Sequence, residues 1–132
     1  FAILRWSALP GASRHHWGSD FDVYGASCID ASYKVQLTIS ETETGGPFAE
    51  FHRWLDNELQ QTDCQFYRPY AEDRGGVAPE PWHLSYAPLS KKNAQILTLD
   101  VLREQLEKTS MELKDTVLEN LDEIFQRYIC VD

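Results

Sequence analysis

Four side chains suited to metal and acid–base chemistry fall in two short stretches of the sequence. One stretch reads SRHHWGSDFD and contains His15 and Asp22, and the other reads PEPWH and contains Glu80 and His83. Two imidazoles and a carboxylate form the kind of ligand set that binds a catalytic zinc ion. The remaining carboxylate is the kind of group that serves as a general base.

The spacing of His15 and Asp22 constrains the chain between them. They are seven positions apart, so on one straight strand their side chains would point to opposite faces. On one helix they would share a face but lie about 10 Å apart along the axis. Neither arrangement lets both residues bind one ion through bonds of about 2.0–2.2 Å. The chain must therefore fold back, and Gly18 stands where such a turn needs a residue with a free φ.

Short strands are expected to position Asp22 of the first stretch and His83 of the second. Residues 21–24, which include Asp22, and residues 82–86, which include His83, both have the composition of a strand. A proline on each side keeps Glu80 out of a helix interior. Glu80 is therefore expected at the entrance of a strand, near the metal.

Three protein ligands leave a fourth position for water, which distinguishes catalytic from structural zinc. Zinc lowers the pKa of such a water towards about 7 and polarises a carbonyl group. A nearby glutamate can take the proton of the water and pass it to a leaving amine. On this hypothesis Glu80 is the base of a hydrolase.

The pattern Ser-x-His-x-x-Gly-x-x-x-Asp, followed by Glu-Pro-Trp-His, resembles the vancomycin-resistance-type D-alanyl-D-alanine carboxypeptidases. These belong to the LAS metallopeptidases, together with lysostaphin and the hedgehog signalling domain. The resemblance covers residues 6–90, approximately, with both motifs in the family order. It implies a small α+β fold in which an antiparallel sheet carries a zinc site on one face and helices cover the other.

The resemblance also implies roles for individual residues. The implied zinc ligands are His15, Asp22 and His83, the implied base is Glu80, and the residues implied in substrate binding are Ser13 and Arg14. One departure is Asp20, where many family members have a small residue such as Ala. An extra carboxylate two positions before a ligand can alter the substrate preference.

Some neighbouring residues have two interpretations. Arg14 either pairs with a substrate carboxylate through its planar fork or is a surface arginine. Ser13 either binds substrate or stabilises the turn. His16 is expected to be a neighbour of the metal ligands or to face solvent, because the family frame selects His15. A hydrogen-bond partner for each ligand imidazole is expected, but the sequence does not identify it.

Length and charge limit the classes of protein. With 132 residues the chain is expected to form a single domain, residues 1–132, trimmed at its N-terminus. The net charge of -9 argues against nucleic-acid binding. No apolar stretch approaches the ~20 residues of a membrane span, and no signal segment is visible. The resemblance nevertheless implies a location in the cell envelope, either periplasmic or otherwise extracytoplasmic.

Hydrophobic patterns predict the remaining elements. Strands are expected at residues 1–6, 33–39 and 64–70, and helices at 48–61, 98–108 and 111–129. Ser90 is expected to cap a short helical turn. A stripe at helical spacing near the C-terminus is expected to cover the sheet; it consists of Leu113, Val117, Leu121, Ile124 and Tyr128. The three cysteines match no metal-binding or redox motif.

The motifs together with the resemblance imply a zinc peptidase that hydrolyses D-Ala-containing peptides of the bacterial wall, most simply by release of a terminal D-Ala. Within the class, the alternative is an endopeptidase that cuts a cross-link of peptidoglycan. A non-catalytic zinc-binding module is a second alternative, against which Glu80 argues. A non-haem iron oxygenase also uses two histidines and one carboxylate, but it needs no glutamate base.

Overall fold

A computed structural model of the protein describes residues 1–130 and shows an α+β fold. Three short strands, Asp20–Asp22 (β1), Phe66–Tyr67 (β2) and His83–Tyr86 (β3), form an antiparallel sheet with the order β1-β3-β2. The α-helices are Ile39–Thr42 (α1), Ala49–Leu59 (α2), Ala87–Ile96 (α3), Leu99–Lys108 (α4), Lys114–Glu119 (α5) and Leu121–Ile124 (α6). Within the described range, none of the helices combines the length and the apolar character needed to cross a bilayer.

The two helices with the clearest periodicity are confirmed. α2 and α4 lie within the predicted ranges and bury Leu55 and Leu102, respectively, on their inner faces. Thr98 caps the N-terminus of α4, and its hydroxyl accepts a hydrogen bond from the amide of Val101 at 3.3 Å. Such a cap satisfies one of the amides that the first turn leaves unpaired.

The strand predicted at residues 33–39 is wrong, and a buried glutamate explains why. Glu41 is 5% exposed, and its carboxylate accepts hydrogen bonds from the amides of Gln36 and Thr38 and from the hydroxyl of Tyr33. These backbone amides are therefore unavailable to a neighbouring strand. Leu37 also has a φ of 54°, which interrupts an extended chain.

Other predicted elements are shorter than expected or absent. Residues 1–6 form no strand, because Ile3–Arg5 is a 3-10 turn in which the amides of Trp6 and Ser7 bond to the carbonyl of Ile3. The strand predicted at 64–70 is reduced to the two residues of β2. Pro69 follows shortly after and has no amide proton to donate to a neighbouring strand. Similarly, the strand predicted at 21–24 ends after Asp22 in β1.

Ser90 does not cap a helix, contrary to the prediction. It lies inside α3 and is fully buried. Its hydroxyl oxygen is 3.1 Å from the hydroxyl oxygen of Tyr67. α3 instead begins directly after β3, with Pro88 in its first turn, where a missing amide proton costs nothing.

The long helix predicted at 111–129 is broken into α5, α6 and a π-helical turn, Phe125–Ile129. Leu113 has a φ of 57° and is 65% exposed. The stripe does not cover the sheet, because the main apolar cluster joins the N-terminal segment to the C-terminal helices and contains no strand residue. Its buried members are Leu9, Ala12, Leu102, Leu106, Leu121, Ile124 and Ile129.

The sheet has one polar and one aromatic face. On the aromatic face the rings of Phe21 and Phe66 are 5.8 Å apart, and those of Phe66 and Tyr86 are 5.2 Å apart. Phe21 and Phe66 stay 42% and 37% exposed. Helices therefore cover this face only in part, which corrects the expectation that they would cover it fully.

Candidate metal centre and active site

The polar face of the sheet carries most of the residues that the sequence motifs identify. Because side chains alternate along a strand, Asp20 and Asp22 of β1 point to the same side. The antiparallel register places Asp22 opposite His83 and Asp20 opposite Ser85. Directly opposed residues have Cβ atoms about 4.5–5.5 Å apart. The sheet itself therefore brings the acid of the first motif to the imidazole of the second.

His15 reaches this face from a tight turn that precedes β1. Arg14–Trp17 forms a 3-10 turn, and Gly18 ends it with a φ of 70° and a ψ of 9°. This left-handed conformation is one that glycine adopts without a steric penalty. The chain is thereby reversed, and the ring centroids of His15 and His83 lie 4.6 Å apart. The reversal that the spacing of His15 and Asp22 required is present.

Three potential ligand atoms converge at this point. One from each of His15, Asp22 and His83 lies within 4.8 Å of the others. Asp22 Oδ2 is 3.6 Å from His15 Nε2, and Asp22 Oδ1 is 3.5 Å from His83 Nδ1. Two ligands that bind one zinc ion tetrahedrally through bonds of about 2.0–2.2 Å are about 3.3–3.6 Å apart. Both distances to Asp22 match this spacing, and the three ligand atoms together lie within a somewhat wider limit of 4.8 Å, so the cluster approaches the dimensions of a three-ligand zinc site.

A second observation supports a cation at this position. His83 Nδ1 is buried and has no hydrogen-bond partner among residues 1–130. Leaving a buried polar atom unsatisfied costs about 1–3 kcal/mol, and a bound cation would remove that cost. His15 and Asp22 are exposed, so an ion and a substrate can reach the cluster from solvent. The donor set of two imidazoles and a carboxylate fits zinc.

Glu80 lies beside the cluster. Its Oε2 is 3.3 Å from His83 Nδ1, and its side chain is 24% exposed. The Glu80 amide donates to the carbonyl of Tyr70 at 2.9 Å, and its carbonyl accepts from the amide of His83 at 3.1 Å. The backbone thus holds Glu80 just before β3, as predicted. Its carboxylate is close enough to share a small ligand with the cluster and open enough to exchange protons with it.

Asp20 is the residue whose role sequence reasoning missed. Its side chain is fully buried, and its Oδ1 lies 3.0 Å from His83 Nε2. Burial opposes the charged form, but hydrogen bonds from His83, Arg14 and Ser19 outweigh it and lower the pKa of Asp20 to about 2. The available signal was the two-residue spacing of Asp20 and Asp22 on a strand, which places both on one face.

The same contacts act on His83. Burial opposes its charged form, but the hydrogen bond to Asp20 and the carboxylate of Glu80 outweigh it and raise the pKa of His83 to about 9. A metal ligand must be a neutral imidazole. In the metal-free protein an incoming cation therefore has to displace a proton from His83.

The residues implied in substrate binding lie at the base of the site. Arg14 is 3% exposed and donates to Asp20 at 2.8 Å, to Tyr67 at 2.8 Å and to Ser85 at 3.0 Å. It is therefore not a surface arginine. Ser13 is half-buried at the start of the turn. Substrate contact by either residue stays a prediction.

His16 faces solvent, which is one of the two positions expected for it. The ligand cluster includes its neighbour His15 instead. The 3-10 turn directs the two adjacent imidazoles differently, so that only one of them reaches the polar face.

A cleft of about 160 Å³ opens beside the cluster. Both polar and apolar side chains line this cleft. The residues that line it include Leu4, Trp6, Leu9, Ser13, Arg14, His15, Tyr70, Val77, Glu80, His83, Tyr128 and Ile129. Such a concave site, with a few convergent polar groups, is typical of a small-molecule or peptide site.

Comparisons with known proteins agree with the geometry. The family model of VanY, D-alanyl-D-alanine carboxypeptidase, matches residues 1–89, which contain the whole cluster. An uncharacterized protein of Haemophilus influenzae is 30% identical over 121 residues, or 92% of each chain. No solved structure matches the chain significantly. The VanY family is one of peptidases of the carboxypeptidase type. With the motifs, the fold and the family match in agreement, this chain belongs to the VanY family.

Proposed function

We propose that this protein is a zinc-dependent D-alanyl-D-alanine carboxypeptidase that releases terminal D-Ala from stem peptides of bacterial peptidoglycan. The observation that carries the proposal is the convergence of His15, Asp22 and His83, with Glu80 beside them. Family membership supports the peptidase chemistry, and peptidases of the VanY type are generally zinc-dependent. Residues 1–132 would form one catalytic domain working outside the cytoplasm.

In the proposed mechanism the metal ligands and Glu80 have separate roles. His15, Asp22 and His83 would hold a zinc ion, which when bound would polarise the scissile carbonyl and lower the pKa of a bound water. Glu80 accepts the proton of the attacking water at its carboxylate and passes it to the leaving amine. Glu80 is suited to both tasks because its partly exposed carboxylate already lies 3.3 Å from a ligand atom.

The walls of the cleft would bind the peptide next to the cluster. Ser13 brings a hydroxyl of the family motif to the lining of the cleft, and Arg14 brings a guanidinium. The guanidinium is already bonded to Asp20. We therefore infer that Ser13 makes the more direct polar contact to substrate and that Arg14 holds the floor of the site.

Incubation with a muropeptide that ends in D-Ala-D-Ala, followed by mass spectrometry, tests the proposal. The expected result is loss of one alanine residue, dependent on zinc and abolished by a chelator. Cleavage only of cross-linked muropeptides would identify an endopeptidase. Binding of zinc and peptide without any cleavage would identify a non-catalytic module. Iron in protein purified without added metal would instead favour oxygenase chemistry.

Substitution of Glu80 separates metal binding from turnover. We expect Glu80→Gln to retain stoichiometric zinc and to lower kcat by about 10²–10⁴-fold, the usual contribution of a general base. Glu72→Gln is the matched control, because Glu72 is an exposed glutamate of the preceding turn. Unchanged kcat in Glu80→Gln would remove Glu80 from this role, and loss of zinc in that variant would make it a ligand.

A further inference from the structure

The carboxylate of Asp20 is the most extensively bonded group beneath the cluster. Its Oδ1 accepts from Arg14 Nε at 2.8 Å and lies 3.0 Å from His83 Nε2. Its Oδ2 accepts from the hydroxyls of Ser19 at 2.7 Å and Ser85 at 3.0 Å. The side chain of Asp20 has no solvent exposure. Both oxygens are therefore fully used, and the carboxylate has a fixed orientation.

The two ring nitrogens of His83 face different groups. Nε2 faces Asp20 at hydrogen-bond distance, 3.0 Å. Nδ1 faces Glu80 at 3.3 Å and Asp22 at 3.5 Å, but neither contact has hydrogen-bond geometry. A carboxylate can only accept a hydrogen bond, so Nε2 must carry a proton in order to bond to it. The lone pair of a neutral His83 is then on Nδ1, directed towards the other two members of the cluster.

We propose that Asp20 is a positioning residue that selects the Nδ1-ligating tautomer of His83 and fixes the orientation of its ring. The inference rests on the proposed zinc-dependent function. Ligand histidines commonly donate their second ring N–H to a carboxylate, carbonyl or water, and loss of that partner weakens metal binding. In this chain the partner is supplied by β1 itself, two residues before the ligand Asp22.

Arg14 completes the arrangement from the other side of Asp20. Its guanidinium connects Asp20 of β1 to Ser85 of β3 and to Tyr67 of β2. All three strands therefore hold the carboxylate in place. An ionised acceptor also makes a stronger hydrogen bond than a neutral one. The carboxylate of Asp20 can therefore orient the ring of His83, whereas a small residue at this position would offer no hydrogen-bond acceptor.

Two substitutions at position 20 isolate the proposed role. Asp20→Asn retains an oxygen that can accept from Nε2, whereas Asp20→Ala retains none. Both leave Arg14 without its anionic partner, so the cost of that loss is common to the pair. We expect zinc affinity to fall by about 10–100-fold in Asp20→Ala and by less in Asp20→Asn, as measured by competition with a chromophoric chelator.

Glu41→Gln is the matched control for loss of a buried carboxylate. Glu41 is 5% exposed and accepts several hydrogen bonds, none of them from the cluster. We expect this variant to be less stable but to bind zinc with the wild-type affinity. A fall in zinc affinity that is equal in Glu41→Gln and Asp20→Ala would reflect general destabilisation and would overturn the proposal.

Nitrogen NMR of the zinc-loaded wild-type protein tests the same point without any substitution. The expected spectrum shows a proton on His83 Nε2, protected from exchange, and none on Nδ1. Ligation through Nε2 would overturn the proposal even if the Asp20 variants failed to fold. If the wild type binds zinc and cleaves peptide while Asp20→Ala has the same zinc affinity, only the role of Asp20 is refuted. If the wild type binds no zinc, the proposed function fails as well.

Discussion

Replacement of Arg14 by methionine would show how much stability the buried ion pair beneath the cluster supplies. The side chains of Arg14 and Asp20 are 2% and 0% exposed, and Arg14 Nε lies 2.8 Å from Asp20 Oδ1. Removal of one member of a buried pair costs about 3–5 kcal/mol when the other charge is left uncompensated. Protonated His83, 3.0 Å from Asp20, offsets part of that cost in the metal-free protein. Methionine retains the apolar length of the side chain beside Trp17, whose ring the guanidinium contacts. We therefore expect Arg14→Met to lower the free energy of unfolding by about 3 kcal/mol, the lower end of that range.

Urea unfolding of the metal-free proteins measures this loss, because bound zinc would add a stabilisation of its own. Arg103→Met is the control: Arg103 pairs with Asp122 at 3.3 Å, but the two side chains are 36% and 71% exposed. Such a pair is worth at most about 1 kcal/mol. Addition of Asp20→Asn to Arg14→Met should recover part of the loss, since the buried group that lost Arg14 is then uncharged. Equal costs in Arg14→Met and Arg103→Met would refute the reasoning.

Three further predictions concern other parts of the molecule. A Cβ at Gly76 would lie 1.8 Å from the carbonyl oxygen of Arg127, so Gly76→Ala should cost about 1–3 kcal/mol in urea unfolding; wild-type stability would contradict this contact. Burial and Arg68 lower the pKa of His52 from its ordinary 6.5, so the folded state binds fewer protons than the unfolded one. The resulting stability is present above pH 6.5 and is lost as the pH falls through the lowered folded value. His52→Gln should lessen that loss of stability at low pH, as measured by metal-free thermal melts. Melting temperatures that fall equally with pH in the wild type and the variant would contradict this. Zinc should raise the melting temperature of the wild type, and it should raise that of Asp22→Ala far less. An equal rise in both proteins would mean that the ion binds elsewhere.

The sequence determined the features that depend on short-range pattern. The two motifs identified the family, and the apolar spacing of α2 and α4 predicted both helices. The need for a reversal between His15 and Asp22 followed from strand and helix geometry alone, and Gly18 supplies it. These inferences succeeded because each rests on residues that are close together in the chain.

Tertiary contacts decided the rest. Residues 33–39 alternate like a strand, but Glu41 takes the backbone amides that a strand would have paired. The apolar spacing of residues 111–129 favoured one helix, whereas Leu113 turns the chain and the segments after it pack against the N-terminus. Local pattern cannot reveal which of several possible partners a backbone group or an apolar face finally meets.

The environment of His83 is the clearest case. The sequence presented Asp20 only as a departure from a family pattern, 63 positions before His83. Pairing of β1 with β3 brings the two side chains to 3.0 Å and surrounds Asp20 with Arg14 and Ser85. Residue types thus determined which groups were able to bind a metal. The sheet register determined which carboxylate meets which nitrogen, because hydrogen-bonded strands align residues that the chain keeps far apart.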